Sequence, residues 1–270
     1  MLVPKSLRSV YFAAVAAAAS YDYIVVGGGT GGLVIANRLS ENSTTSVLIV
    51  ERGDSVLDNT EVSDPNAYGA AFGSSIDYAY QSTAQQYAGG RVQTLRAGKA
   101  LGGTSTINGM AYTRAQDVQI DAWGNMGNSG WSWNNLFPYY LKSESFQIPT
   151  PAQNDAGANY VASYNGESGP LLVGWTYNMQ NSSIHTSLNE TYKRLGISYV
   201  PDVNGGKMHG YSMFPRTVNR AQQLREDAAR AYYYPFDSKP NLTVMLNTPG
   251  NRIVWDSSVS ATSPKHSRAM

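Results

Sequence analysis

The glycines between Tyr21 and Gly32 are the residues whose spacing most directly suggests chemistry. Gly27, Gly29 and Gly32 follow an apolar run at the spacing of a dinucleotide-binding turn. Gly27 allows a sharp turn after a strand, Gly29 allows close approach of a pyrophosphate, and Gly32 allows close helix packing. The amide groups at the start of the next helix would then face the phosphates. We call this turn the first glycine segment; its predicted site residues are Gly27, Gly29, Thr30, Gly31 and Gly32.

Regular elements on both sides support this interpretation. Residues 21–26 are predicted to form a strand buried on both faces, residues 33–39 a helix, and residues 46–50 a second strand. Glu51 ends that second strand, where a carboxylate can bind both hydroxyls of an adenosine ribose. The alternative is a structural glycine turn in an unrelated βαβ unit.

The composition of the chain excludes several kinds of site and partner. The chain has 270 residues, a formal net charge of +1 and no cysteine. Disulfides, thiolate nucleophiles and cysteine-bound metals are therefore excluded. No basic stripe is present, so nucleic acid is not an expected partner.

The N-terminal residues have the pattern of a secretory signal peptide. Lys5 and Arg8 precede a short apolar run, and small residues follow up to a plausible cleavage point near Ala19 or Ser20. The run is too short for a membrane span, and a buried N-terminal helix is the alternative. We expect a secreted protein, and Asn-X-Ser/Thr triplets mildly support this; they begin at Asn42, Asn181, Asn189 and Asn241.

A second glycine segment extends from Gly98 to Tyr112. Its residues 98–108 resemble the first signature of the glucose–methanol–choline (GMC) family of flavin oxidoreductases. Further segments resemble the fungal FAD-dependent glucose dehydrogenases of that family, with the glucose oxidases a near second; they are 66–69, 72–74, 202–207 and 225–230. The resemblance covers about Tyr21 to Trp255.

The resemblance implies FAD as the cofactor. Gly102 and Gly103 let the main chain lie close to a flat ring, and nearby hydroxyl and amide groups can bind phosphate oxygens and flavin edges. The residues assigned to the flavin are Gly102, Gly103, Thr104, Asn108, Gly109, Met110 and Ala111. A loop that serves only packing is the alternative, and the second segment makes an NAD-dependent dehydrogenase a weaker interpretation.

The implied fold class is α/β, α+β overall. It is a Rossmann-like FAD-binding domain of the GMC type with part of a substrate-binding domain, and the C-terminal half of the family fold is missing. We predict a signal peptide at 1–19 and a first FAD-binding segment at 20–147. Part of the substrate domain follows at 148–222, an FAD-binding return segment at 223–256, and an aberrant disordered tail at 257–270.

The implied reaction is oxidation of the C1 hydroxyl of glucose, or of a related sugar or alcohol, to the lactone. Hydride passes to the flavin, and the electrons pass on to a small quinone-type acceptor. Glucose oxidase activity with O2 is one alternative, and a non-catalytic truncated FAD-binding fragment is another. The oligomeric state stays open.

Candidate catalytic and substrate residues are few. His185, His209 and His266 do not match the catalytic histidines of the family, so we assign no catalytic base. We assign no metal ligand. Tyr68 either lines the sugar site, as the family resemblance suggests, or packs under a loop.

Overall fold

The computed structural model describes residues 20–177, 179, 183–255 and 267–269. The predicted signal peptide therefore lies outside the described residues. The helices are α1 (Thr30–Leu39), α2 (Thr60–Ser63), α3 (Asp117–Asn125), α4 (Trp133–Ser143), α5 (Pro151–Asp155), α6 (Ser183–Arg194) and α7 (Ala228–Tyr232). The strands are β1 (Tyr23–Val26), β2 (Val47–Val50), β3 (Tyr80–Gln81), β4 (Thr94–Leu95), β5 (Glu144–Phe146), β6 (Leu171–Gly174), β7 (Arg216–Asn219), β8 (Leu224–Arg225), β9 (Leu242–Met245), β10 (Ile253–Trp255) and β11 (Ser267–Ala269).

A parallel three-stranded sheet in the order β1–β2–β9 carries the first glycine segment. Val47 of β2 lies opposite Tyr23 on one side and Leu242 on the other. All four residues of β2 are buried, because helices and neighbouring strands cover it. The predicted strand–helix–strand unit is confirmed.

The prediction that β1 is buried on both faces is wrong. Tyr23 is 49% exposed and Val26 is 57% exposed. Among the described strands, β1 lies at the edge of its sheet and pairs with one neighbouring strand only, so part of it stays exposed. Local sequence indicated a central strand because apolar residues follow one another there.

The main core joins residues that are far apart in the sequence. Leu33 and Ala36 of α1 pack with Ile49 of β2, and with Ala231 and Tyr232 of α7. The Asn37 side-chain amide also donates to the Tyr232 carbonyl oxygen, at 2.9 Å. Helix α7 thus covers α1 and fixes the position of the segment that precedes it.

A second sheet has the order β5–β6–β7–β8. Strands β5 and β6 are parallel, whereas β6, β7 and β8 are successively antiparallel. A buried ion pair supports this sheet, because Nη2 of Arg114 lies 2.8 Å from Oε1 of Glu144. Such a pair orders its neighbourhood even where its net contribution to stability is small.

In the sequence between the two glycine segments, strands β3 and β4 pair as a short antiparallel hairpin. Asp77 anchors its base by accepting hydrogen bonds from the amides of Gly73 and Ala79, each at 2.9 Å, and from Arg96 at 2.7 Å. Burial would raise the pKa of Asp77, but these hydrogen bonds lower it to about 2.

The predicted disordered tail is only partly testable, since residues 256–266 and 270 lie outside the described residues. Ser267–Ala269, which do lie within them, form β11 and pair antiparallel with β10. The disorder of the tail as a whole stays a prediction, because most of its residues lie outside the described ones. Pairing of so short a strand depends on a distant partner, which local periodicity does not report. Within the described residues, no helix is both long and apolar enough to cross a bilayer.

Candidate cofactor-binding site

The first glycine segment has the backbone that a sharp strand-to-helix turn needs. Gly27 has a φ of 103°, in the region that favours glycine. A Cβ on Gly32 would lie 2.0 Å from the Gly27 carbonyl oxygen, so no other residue fits there. Gly29 caps α1 without a side chain, and the described first turn holds no acidic residue. The first turn of α1 therefore carries no carboxylate of its own and is suited to phosphate.

The two glycine segments meet. The Gly102 amide donates to the Gly28 carbonyl oxygen at 2.8 Å. A Cβ on Gly103 would lie 2.6 Å from Cα of Gly29, which is closer than real Cβ contacts. Gly102 and Gly103 have φ values of 105° and 56°. Glycine is thus required on the Gly102–Gly103 side of the contact, and the tertiary fold brings the two predicted motifs together.

Glu51 lies beneath the first turn, with 6% of its surface exposed. Its Oε2 accepts from the Gly28 amide and its Oε1 from the Gly53 amide, each at 2.7 Å. The sequence assigned this carboxylate to the ribose. Each oxygen of an ionised carboxylate can accept a second hydrogen bond, so the observed contacts are compatible with that prediction.

Most of the remaining residues assigned to the flavin are exposed to solvent. Thr104, Asn108, Gly109 and Ala111 are exposed. The Thr104 hydroxyl accepts from the Gly98 amide at 3.2 Å. These four residues are therefore accessible to a ligand, whereas Gly102 and Gly103 are buried.

Met110 is buried, with 1% of its surface exposed. Its amide donates to Oδ1 of Asn108 at 2.9 Å, and its carbonyl accepts from the Thr217 amide at 2.9 Å. The amide of Met110 is therefore hydrogen-bonded within the protein, and its assignment to the flavin stays a prediction.

Tyr68 lies beside the second glycine segment. Its side chain is 58% exposed, and a Cβ on Gly109 would be 3.6 Å from its Cε2 atom. The ring also makes an edge contact with Phe72, with centroids 5.5 Å apart. The position suits both roles that the sequence left open, lining a substrate site and packing.

The segment Arg225–Ala229 lies in the predicted FAD-binding return segment and contacts the second glycine segment. The Ala228 amide donates to Oγ of Ser105 at 2.9 Å, and Asp227 caps α7 by accepting from Ala229 and Arg230. Burial raises the pKa of Asp227 and raises that of Glu226 to about 8. Acidic residues just before an alanine-rich helix were the available signal for a cap.

The two described histidines make no described hydrogen bond to the glycine segments. Nδ1 of His185, on α6, is 2.6 Å from the Tyr211 hydroxyl, whereas His209 is exposed. His266 lies outside the described residues. Across the residues described, no group of three His, Cys, Asp or Glu side chains could hold a metal ion.

Comparison with known proteins decides the family. The GMC oxidoreductase family matches residues 21–270. This chain belongs to that family. A glucose oxidase-like protein, fsoC of Humicola fuscoatra, is 45% identical over 236 residues, which cover 87% of this chain and 40% of the relative. The glucose oxidase of Aspergillus carbonarius is 37% identical over 238 residues, 87% of this chain and 39% of the relative.

Solved structures agree with the GMC assignment. An FAD-dependent oxidoreductase from Chaetomium thermophilum superposes with a TM-score of 0.80 at 27% identity, covering 93% of this chain and 44% of that one. Pyridoxine 4-oxidase from Mesorbium loti superposes at 0.76, also with 27% identity, covering 88% of this chain and 44% of that one. This GMC chain thus spans about 40% of the length of its curated relatives.

The GMC family and its FAD-dependent neighbour confirm the predictions of family, fold class and FAD. The geometry fits the cofactor. The Gly103 backbone lies directly against the Gly29 backbone, and no side chain stands between them. The helix N-terminus of α1 offers uncapped amides beside that contact.

Proposed function

We propose that this chain forms the FAD-binding part of a secreted enzyme that oxidises the C1 hydroxyl of glucose, or of a related sugar or alcohol, to the lactone. The observation that carries the proposal is the contact between the two glycine segments at Gly29 and Gly103. The glucose oxidase-like relatives support the sugar as substrate. The N-terminal charge and apolar pattern support secretion.

The residues of the chain would contribute binding and orientation. The N-terminus of α1 would hold the pyrophosphate, and Glu51 would hold the adenosine ribose while it supports the Gly28 amide. The exposed main chain of Thr104, Gly109 and Ala111 would lie against the flavin. FAD, when bound, supplies the acceptor for hydride from the sugar carbon.

Substrate contact and proton removal call for other groups. Tyr68 would line the sugar site from its exposed position beside Gly109. We assign no proton acceptor within the described residues, because His185 is hydrogen-bonded to Tyr211 and neither it nor the exposed His209 has a described contact with the glycine segments.

The electron acceptor that we propose is a small quinone-type molecule. Oxygen is the second candidate, which the glucose oxidase relatives specifically favour. The two candidates differ in what reoxidises the cofactor and not in how this part of the protein binds it.

Purification of the secreted protein tests the proposal. We expect a yellow protein with an absorption band at about 450 nm, as flavins have. Turnover of glucose is then compared, in one preparation, with a dye acceptor in the absence of oxygen and with O2 alone. A coloured protein without turnover would support the truncated FAD-binding fragment instead, and a colourless protein that takes up no added FAD would exclude both.

A further inference from the structure

Residues 225–229 bind the second glycine segment at two places. The Ala228 amide donates to Oγ of Ser105, which in turn donates to the Gly102 carbonyl oxygen at 2.6 Å. Arg225 reaches the far end of the same segment, where Nη1 lies 2.7 Å from the Asn108 carbonyl oxygen and 3.0 Å from its Oδ1. The flavin function proposed above gives these contacts no role.

Arg225 is an unusual buried cation. It is 1% exposed, and its Nε donates to the Val62 carbonyl oxygen at 2.8 Å. Within the described part of the chain it forms no ion pair, and its described partners are carbonyl and amide oxygens. Burial lowers the pKa of Arg225 to about 10, so the guanidinium is protonated at neutral pH. The nearby Asp227 carboxyl partly offsets this lowering of the Arg225 pKa. Because no direct ion pair joins the two described side chains, the buried guanidinium depends on the oxygens around it.

The backbone at Met110 shows what the guanidinium holds in place. Met110 has a φ of 62°, a left-handed conformation that a long side chain rarely adopts. The oxygen that fixes it is Oδ1 of Asn108, which accepts from the Met110 amide and from Arg225 together. Arg225 therefore orients the acceptor that stabilises a strained turn, and strain of this kind is found at functional sites.

We propose that Arg225 is a positioning residue for the cofactor: by clamping Asn108 it keeps Met110 left-handed and so fixes the main chain of the second glycine segment. This inference rests on the proposed placement of the flavin against that segment. The clamp would hold Gly109 and Ala111, on either side of Met110, in the orientation that meets the ring. Its effect would be on the geometry and affinity of the bound flavin, not on any step of the reaction.

The test compares Arg225→Lys and Arg225→Met with the unchanged protein. Lysine keeps the charge but lacks the planar fork that reaches Val62 and Asn108 together. We expect a changed visible circular dichroism of the bound flavin and a dissociation constant for FAD raised about tenfold or more in both variants. Arg114→Lys is the matched control. Arg114 is 3% exposed and also donates to carbonyl oxygens, but it binds Glu144, Tyr164 and Asn204.

A rescue experiment separates positioning from general stability. In the Arg225→Lys background, Met110→Gly should restore flavin affinity and dichroism better than Met110→Ala, because glycine adopts a positive φ without strain. Both substitutions remove the buried side chain, so they create the same kind of cavity. This pair decides the question even where Arg225→Met does not fold.

The outcomes are distinct. Unchanged flavin affinity and dichroism in folded Arg225 variants, or equal behaviour of the two Met110 substitutions, would overturn the positioning role and leave the proposed function intact. Failure of the unchanged protein to bind FAD would overturn both.

Discussion

Gly103 lies so close to Gly29 that a single added carbon on Gly103 would come within 2.6 Å of the Gly29 Cα atom. The contact joins the start of α1 to the second glycine segment, and the Gly102–Gly28 hydrogen bond reinforces it. Main chain from two distant parts of the sequence thus packs together beside the start of α1, where the family's dinucleotide is expected to bind.

Alanine at position 29 should separate folding from cofactor binding. A Cβ on Gly29 would meet Gly103 Cα at an ordinary 3.7 Å, and the φ of Gly29 is −85°, so the fold should tolerate it. The methyl group would occupy the space proposed for the pyrophosphate. We expect an unchanged melting temperature without cofactor and a dissociation constant for FAD raised about a hundredfold, roughly 2.7 kcal/mol.

Gly31→Ala is the control for that variant. A Cβ on Gly31 meets nothing within 4 Å among the described atoms, and the residue lies in α1. The cofactor role predicted for Gly31 needs only its main-chain amide, which alanine keeps, so FAD affinity should be unchanged and stability should rise by up to about 1 kcal/mol. Equal loss of FAD in the two variants would contradict the assignment of the pyrophosphate to Gly29.

Glu51→Gln should weaken both the turn and the cofactor site. Each carboxylate oxygen now accepts a backbone amide, from Gly28 and from Gly53. The glutamine NH2 group would face one of those amides and leave it unpaired, at a cost of about 1–3 kcal/mol. Urea unfolding and FAD titration measure the two effects. Glu41→Gln, which removes an exposed ion pair with Arg38, should change stability by less than about 1 kcal/mol.

Glu226→Gln should change how stability depends on pH. Burial raises the folded-state pKa of Glu226 from 4.5 to about 8, so the folded protein binds the proton more tightly than the unfolded chain. The favourable contribution is complete below about pH 4.5 and is lost as the pH rises towards 8.

The wild-type free energy of unfolding should therefore fall relative to that of the Glu226→Gln variant between pH 5 and pH 8. We expect a difference on the order of a few kcal/mol. Urea unfolding at the two pH values measures it, with Glu190→Gln as the control at an exposed position of α6. Parallel pH profiles of wild type and Glu226→Gln would show that this carboxyl titrates normally.

Glycosylation should distinguish Asn42 from Asn241. Asn42 is exposed in a turn, and its Oδ1 accepts from the amide and hydroxyl of Thr44, at 3.1 and 2.8 Å. Nδ2 of Asn241 instead donates to the carbonyl oxygens of Ser40, Asn42 and Thr45, at 3.2, 3.0 and 2.8 Å. A glycan on that nitrogen would break this network.

We expect glycopeptide mass spectrometry of the secreted protein to find a glycan on Asn42 and none on Asn241. Asn42→Gln should lower the mass by one glycan, whereas Asn241→Gln should leave the glycan mass unchanged and lower the melting temperature. A glycan on Asn241 would show that its hydrogen bonds are not retained in the mature protein.

Features of the fold that depend on a short stretch of sequence are the ones that the sequence predicts correctly. The turn at Gly27 to Gly32, the helix α1 and the strand β2 depend on residues within one short stretch, and their torsion and periodicity are readable from residue type. The exposure of β1 and the pairing of β11 are not predicted by the sequence, because both depend on which distant strands are neighbours. Nothing in the segment around Arg225 reveals Asn108 as its partner, because the two residues are far apart in the sequence.

The sequence by itself determined that two glycine segments exist, that the first opens a helix after a parallel strand, and that the chain resembles flavin oxidoreductases. Only the tertiary structure decided that Gly103 meets Gly29, that Glu51 supports Gly28, and that Arg225 holds the turn at Met110. The physical reason is that residue type limits local torsion angles and burial. Contacts between distant segments arise only when the whole core, with α7 packed on α1, brings them together.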